Sequence, residues 1–231
     1  MPKKSLSLNY CLMYLLSLKT RQSLTKLTIL ITLQLLSVCI HAGEQKYEPL
    51  AASVRAALHK AIADKAVTDK FADKKNNWLL TMSKRLNKRM SNPTTRQQFL
   101  QTVYYEAKRA GLDPQLVLAL IQVESAFRKY AISSAGARGY MQVMPFWLKL
   151  IGRPSDNLFN LRTNLRYGCT ILRHYLDIEN GNLYRALGRY NGSLGKAKYP
   201  NLVRSAWQNV WHWQESKAPH NMADTKAAFI N

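Results

Sequence analysis

Hydrophobic and polar positions along this chain recur at helical spacing, and no segment alternates convincingly with a period of two, which predicts an almost all-α protein. The most informative helix opens at Asp113 and Pro114, an N-cap acceptor followed by the residue best tolerated at the first helical position. Val117, Leu120 and Ile121 recur on one face, and Glu124 comes seven, four and three residues after them. At about 100° per residue, that sets a carboxylate in the middle of an apolar stripe. Asn92 and Pro93 open an earlier helix through Phe99, Val103 and Ala107, stopped by Gly111. After Pro145 a short helix carries Trp147, Leu148 and Ile151 and ends at Gly152. Asn160 caps a longer one whose face is Leu161, Leu165, Gly168, Leu172 and Leu176, closed by Asn180 and Gly181. Gly168 in that face predicts close approach of a second helix. Asn182 opens a helix to about Tyr190, and a Gly-rich loop at 192–195 leads past Pro200 to a last helix with Val203, Ala206, Trp207, Val210 and Trp211.

Upstream of Asn92 the periodicity is weaker. Its clearest part is Trp78, Met82, Leu86 and Met90, each four apart, with Lys84, Arg85, Lys88 and Arg89 between them. Two readings fit: a basic amphipathic helix that touches an anionic membrane surface or wall, or a helix packed on the body with a solvated basic face. The chain therefore divides into a leader at 1–42, a basic helical extension at 43–91, a helical body at 92–213 and a polar tail at 214–231.

Charge adds a partner class. There are 34 Lys+Arg against 13 Asp+Glu in 231 residues, a net of +21. Such a balance favours an anionic partner: nucleic acid, acidic lipid or an acidic wall polymer. Residues 1–42 hold five basic groups and no acid, followed at 27–40 by an apolar run of 14 residues. That run is short for a membrane span and fits a signal-peptide core, with Ala42 as the last residue before cleavage. The expectation is export to the periplasm or cell envelope; the alternative is an uncleaved inner-membrane anchor. A lipoprotein-like box ends at Cys39, but bulky Val38 stands where a small residue is wanted. Cys11 and Cys39 belong to the leader, so the mature chain keeps Cys169 and cannot form an internal disulfide.

Candidate chemistry centres on Glu124. A glutamate at a helix end is ordinarily structural and neutralised by an arginine. On an apolar face, burial instead raises the carboxyl pKa and keeps a proton available near neutrality, which suits protonation of a glycosidic oxygen. The loop that follows supplies Ser133 and Gln142 as hydrogen-bonding partners for a sugar or the carboxyl. Gly136 and Gly139 would let backbone approach a ligand.

Three motifs then coincide in order. Glu124-Ser125, the run Ser133-Ser134-Ala135-Gly136-Ala137-Arg138-Gly139 with Met141-Gln142, and Tyr190-Asn191 together resemble the lytic transglycosylase family, whose fold is similar to goose-type lysozyme. The resemblance covers about residues 97–213. It implies a lysozyme-like helical domain that cleaves the β-1,4 bond between N-acetylmuramic acid and N-acetylglucosamine in peptidoglycan glycan strands. By this resemblance Glu124 acts first as acid on the leaving oxygen, then as base on the muramyl 6-hydroxyl, which closes on C1 to give a 1,6-anhydro end. Water is not the nucleophile, so no second carboxylate is needed, and no acidic residue lies between Glu124 and Asp156. Ser133 and Gln142 would orient the N-acetyl groups and the glutamate, Met141 would wall the site, and Tyr190 would hydrogen-bond near the carboxylate with Asn191 beside it. Two positions depart from the family pattern: Tyr140 stands for the usual Leu, and Arg189 for the Ala before Tyr190.

Other constellations fail. The five histidines and Cys169 show no metal-ligand spacing, and no phosphate-binding or dinucleotide fingerprint occurs, so neither metal nor cofactor is expected. The Lys and Arg residues lack the patterning of a specific nucleic-acid reader. The competing readings are a hydrolysing goose-type muramidase and a non-enzymatic wall- or nucleic-acid-binding protein on the same scaffold.

Overall fold

The computed structural model describes residues 45–63 and 72–214. The leader with its apolar run, and all but the first residue of the polar tail, lie outside the described residues. Among the described residues every regular element is a helix, as the periodicity predicts: α1 Ala52–Ala63, α2 Ala72–Leu86, α3 Pro93–Arg109, α4 Pro114–Ser125, α5 Phe146–Ile151, α6 Leu161–Ile178, α7 Leu183–Asn191 and α8 Lys198–Ala206. None of them is long and apolar enough to cross a membrane.

Side-chain caps start the helices where the sequence places them. Asn92 Oδ1 accepts from the Thr95 amide at 2.9 Å, Asp113 Oδ1 from Gln115 at 2.8 Å and Asn160 Oδ1 from Thr163 at 3.1 Å. Each satisfies an amide that the helix itself cannot, worth about 1 kcal/mol.

Helix α4 is the axis of the packing. The sequence suggests an apolar stripe, but Leu116 through Ile121 are all buried, so the helix is enclosed on every side. It contacts α3 and α8, and the five residues Trp207–Trp211 that continue α8 as a π turn. Trp207 donates its indole N–H to Asp113 at 3.0 Å and Trp211 to Gln122 at 3.0 Å, clamping the C-terminal elements along α4. The sequence predicts one continuous α-helix through Trp211; the widening to i→i+5 geometry comes in its last five residues.

Of the two readings of the basic helix, the structure supports packing. Trp78, Met82 and Leu86 are buried in the same apolar cluster as α3–α8, and Met90 packs against it. Arg85 reaches the carbonyls of Val210 and His212 at 3.1 and 2.7 Å. Between α3 and α6, fully buried Glu106 pairs with Arg109 at 2.8 Å, Arg166 at 3.0 Å and half-exposed Arg162 at 3.4 Å. Helix α1 contacts α5 and α6.

Candidate active site

Helix α4 ends one residue beyond Glu124, and the chain there turns sharply. Ala126 and Phe127 both adopt left-handed backbone, φ +49° and +65°. For a bulky residue such as Phe127 this costs on the order of 1–2 kcal/mol. Its ring offsets that by packing between Phe99 and Trp211, at 5.9 and 5.4 Å between centroids. The strain lies next to the candidate carboxylate and is held by an aromatic cluster.

The loop from 126 to 145 is folded by two isolated antiparallel bridges, Ile132 with Arg138 and Arg138 with Val143. Ser125 donates from its hydroxyl to the Tyr140 carbonyl at 2.7 Å and so ties the end of α4 to the far side of this loop. A residue that the sequence reading missed, Asn164 in the first turn of α6, holds the loop's centre. Its side chain accepts from the Met141 amide at 2.8 Å and donates to the carbonyls of Arg138 and Leu158 at 2.8 and 2.9 Å. Its polar side chain beside the apolar face of Leu161, Leu165 and Gly168 was the available signal. Gly139, φ +75°, lies against it: an added Cβ would come within 2.5 Å of both Asn164 Nδ2 and the Leu158 carbonyl. The close approach that Gly139 permits is thus to Asn164, within the fold.

Glu124 is 3% exposed. Its Oε1 accepts from the Tyr199 hydroxyl at 2.5 Å, while Oε2 is buried without a hydrogen-bond partner. Burial pushes its carboxyl up from the ordinary 4.5 to about 8, against the opposing pull of the Tyr199 hydrogen bond. Tyr199 itself stays a proton donor, its pKa raised well above the ordinary phenol value by burial and then by the Glu124 charge. The sequence suggests that Tyr190 hydrogen-bonds near the carboxylate; the phenol that bonds it is Tyr199, 75 positions beyond the carboxylate and on α8. The helix beginning there has no side-chain cap, and nothing in the periodicity singles out this tyrosine.

The other sequence-nominated residues are each held by different partners. Tyr190 is fully buried on α7 and donates to the Met141 carbonyl at 2.8 Å; the Glu124 charge, after burial, helps to raise its pKa. The Met141 side chain has no exposed surface. Its sulfur sits where a Cβ on Gly168 would lie, 2.4 Å away, so Gly168 admits this side chain and not a second helix backbone. In place of a sugar-facing wall, Met141 offers its carbonyl to Tyr190. Gln142, φ +48°, donates to the carbonyls of Ala131 and Gly139 at 3.1 and 2.8 Å, bracing the loop. Ser133 Oγ accepts from the Ala137 amide at 3.0 Å within the turn that Gly136 closes. Asn191 is buried and its Nδ2 lacks a partner. Tyr140 packs on Phe99, 4.9 Å between centroids, and faces the core. Arg189 bonds Glu179.

Three surface cavities, of about 250, 320 and 230 Å³, lie elsewhere, and Glu124 lines none of them. Among the described residues no three His, Cys, Asp or Glu side chains group as metal ligands. What the end of α4 presents is a dry carboxyl with one oxygen held by a phenol and the other unpartnered.

Residues 101–208 match the family described as Transglycosylase SLT domain, so the resemblance carried by the three motifs holds over this stretch. Membrane-bound lytic murein transglycosylase C of Histophilus somni (strain 2336) is 40% identical over 115 residues, which cover 43% of this chain and 32% of that protein. The transglycosylase of Enterobacteria phage PRD1 is 32% identical over 108 residues, covering 47% of this chain and 40% of the relative. The matches therefore span well under half the length of these relatives. An X-ray structure of an inactive mutant of lytic transglycosylase Slt from Pseudomonas aeruginosa aligns with 74% of this chain and 36% of its own, at 18% identity and a TM-score of 0.39.

Proposed function

We infer that this chain is a peptidoglycan lytic transglycosylase, with Glu124 as its acid and then its base. The observation that carries the reading is the setting of the Glu124 carboxyl: buried, with Oε1 engaged by Tyr199 and Oε2 unpartnered, so that burial pushes its pKa up to about 8 and favours the neutral acid at pH 7. Because the Tyr199 proton already occupies Oε1, the carboxyl's own proton resides on Oε2. A buried donor without an acceptor is costly, and a glycosidic oxygen placed there removes that cost.

The reaction follows from that placement. Oε2 gives its proton to the oxygen bridging the two sugars, and the bond from that oxygen to C1 of the muramyl residue breaks. Positive charge develops at C1, and the new carboxylate is stabilised by the hydrogen bond from Tyr199. The carboxylate then removes the proton of the muramyl 6-hydroxyl as its oxygen bonds to C1. The products are a free 4-hydroxyl and a 1,6-anhydro-muramyl end, and Glu124 is again neutral. Asn191 Nδ2 is a free donor for the substrate, and Ser133 and Gln142 shape the loop that receives the N-acetyl groups.

The basic surface fits a wall rich in carboxylates, and the names of the bacterial relatives support a place in the cell envelope. In this reading residues 1–42 export or anchor the chain, residues 92–213 carry the catalysis, and the 43–91 segment braces them. Purified sacculi test the reading: wild type clears the suspension, and Glu124→Gln binds sacculi without clearing them. Clearing by the mutant at the wild-type rate would remove Glu124 from its role.

A further inference from the structure

Ahead of α1, residues 45–50 form no helix, yet they are fastened to the two elements that carry site residues. Gln45 is 3% exposed, an uncommon position for a glutamine. Its Oε1 accepts two hydrogen bonds, from the Trp147 indole N–H at 2.9 Å and from the Met144 amide at 3.3 Å. Its Nε2 is buried, unpartnered and close to the Tyr190 hydroxyl without completing a hydrogen bond to it. Two residues on, the Tyr47 ring meets Phe146 edge-on at 5.6 Å between centroids. Glu48 then pairs at 3.4 Å with Arg189, the residue immediately before Tyr190. These positions lie outside the stretch matched by the transglycosylase family.

We propose that Gln45 is a positioning residue of the active site, and that the segment from Gln45 to Glu48 is a strap locking the loop that carries Met141 and Gln142 to the helix that carries Tyr190. The proposal rests on the transglycosylase reading for its effect on turnover, but not for its effect on the loop. The buried Trp147 indole N–H and the part-buried Met144 amide both bond the Gln45 oxygen, so losing Gln45 strands both. Met144 is three residues from Met141, whose carbonyl receives the Tyr190 proton. The strap thus fixes both ends of the Met141–Tyr190 hydrogen bond, one through Gln45 and the other through the ion pair of Glu48 with Arg189. That ion pair is partly exposed and weak by itself, so the larger share falls to Gln45.

The test uses the full chain as Gln45→Ala and Gln45→Glu, the second keeping an acceptor for Met144 and Trp147. Circular dichroism verifies the fold, hydrogen exchange is read by peptide, and turnover is measured on soluble glycan strands. Gln45→Ala is expected to speed exchange at 139–147 and 188–192 while leaving α3 unchanged. It should also lower kcat by at least about tenfold, with KM within about twofold, because small misplacement of reacting groups costs rate more than binding. Gln45→Glu should restore most of the protection and part of kcat. Unchanged exchange at 139–147 in Gln45→Ala, or a KM rise with kcat intact, overturns the proposal. If wild type releases no product, the transglycosylase reading fails separately and the exchange result still decides the strap.

Discussion

Replacing Glu124 by Gln removes a proton whose retention couples the folded state to pH near neutrality. In the folded chain the carboxyl titrates at about 8, against 4.5 when unperturbed. Between those values the native state holds a proton that the unfolded state has released. Unfolding free energy therefore falls as pH rises, by about 1.4 kcal/mol per pH unit and by about 5 kcal/mol across the whole window. The sign is opposite to that of a salt-bridged carboxylate, because here burial favours the neutral form. The Gln side chain has no such proton, so the difference in stability between Glu124→Gln and wild type should grow with that slope from about pH 4.5 and level off above about pH 8. A constant offset is superimposed, since the new amide brings donors with no partner at the Oε2 position. The slope is the diagnostic, not the offset. Urea unfolding of both proteins at half-unit intervals from pH 4 to pH 9 measures it. A difference that stays flat across this range would mean the carboxyl titrates normally, and the argument for a neutral acid at pH 7 would fail.

Three further outcomes follow, two from named contacts and one from charge. Tyr199→Phe removes the hydrogen bond that opposes burial. The Glu124 pKa should then rise further, shifting the alkaline fall in kcat to higher pH, and kcat should drop by about 10-fold to 100-fold as the carboxylate loses a charge-assisted bond; pH–rate profiles of the two proteins check this. Gly139→Ala puts a methyl group against Asn164 and Leu158 at a φ of +75° and should destabilise by about 2 kcal/mol or more, measured by thermal unfolding with loss of activity in step. Binding of the protein to sacculi should weaken steeply as ionic strength rises from 0.05 to roughly 0.5 M, since 34 basic residues face 13 acidic ones; binding that is indifferent to salt would remove charge as its source.

The helical frame was legible because its boundaries are written in local chemistry. Asn92-Pro93, Asp113-Pro114, Asn160 and Asn182 each cap the helix that follows, and Gly111, Gly181 and Gly192 take the left-handed turns after α3, α6 and α7. The burial of Glu124 was legible for the same reason, since helical spacing places it among Val117, Leu120 and Ile121. What periodicity cannot convey is which distant side chain meets which. Tyr190 and Tyr199 lie on adjacent helices, both fully enclosed, and only the packing of α8 on α4 decides which phenol reaches the carboxyl. Gly168 signals close approach, but not that its visitor is the Met141 side chain. Asn164 and Gln45 act on groups more than twenty positions away, the Met141 amide and the Trp147 indole, and Gln45 sits where no periodic pattern exists.

Mass spectrometry of the muropeptides released from purified sacculi tests the central claim most directly. An acid-then-base Glu124 predicts that new glycan ends appear as 1,6-anhydro-muramyl residues with wild type and are absent with Glu124→Gln. Reducing muramyl ends in their place would show that water, not the 6-hydroxyl, attacks C1, and would contradict the account.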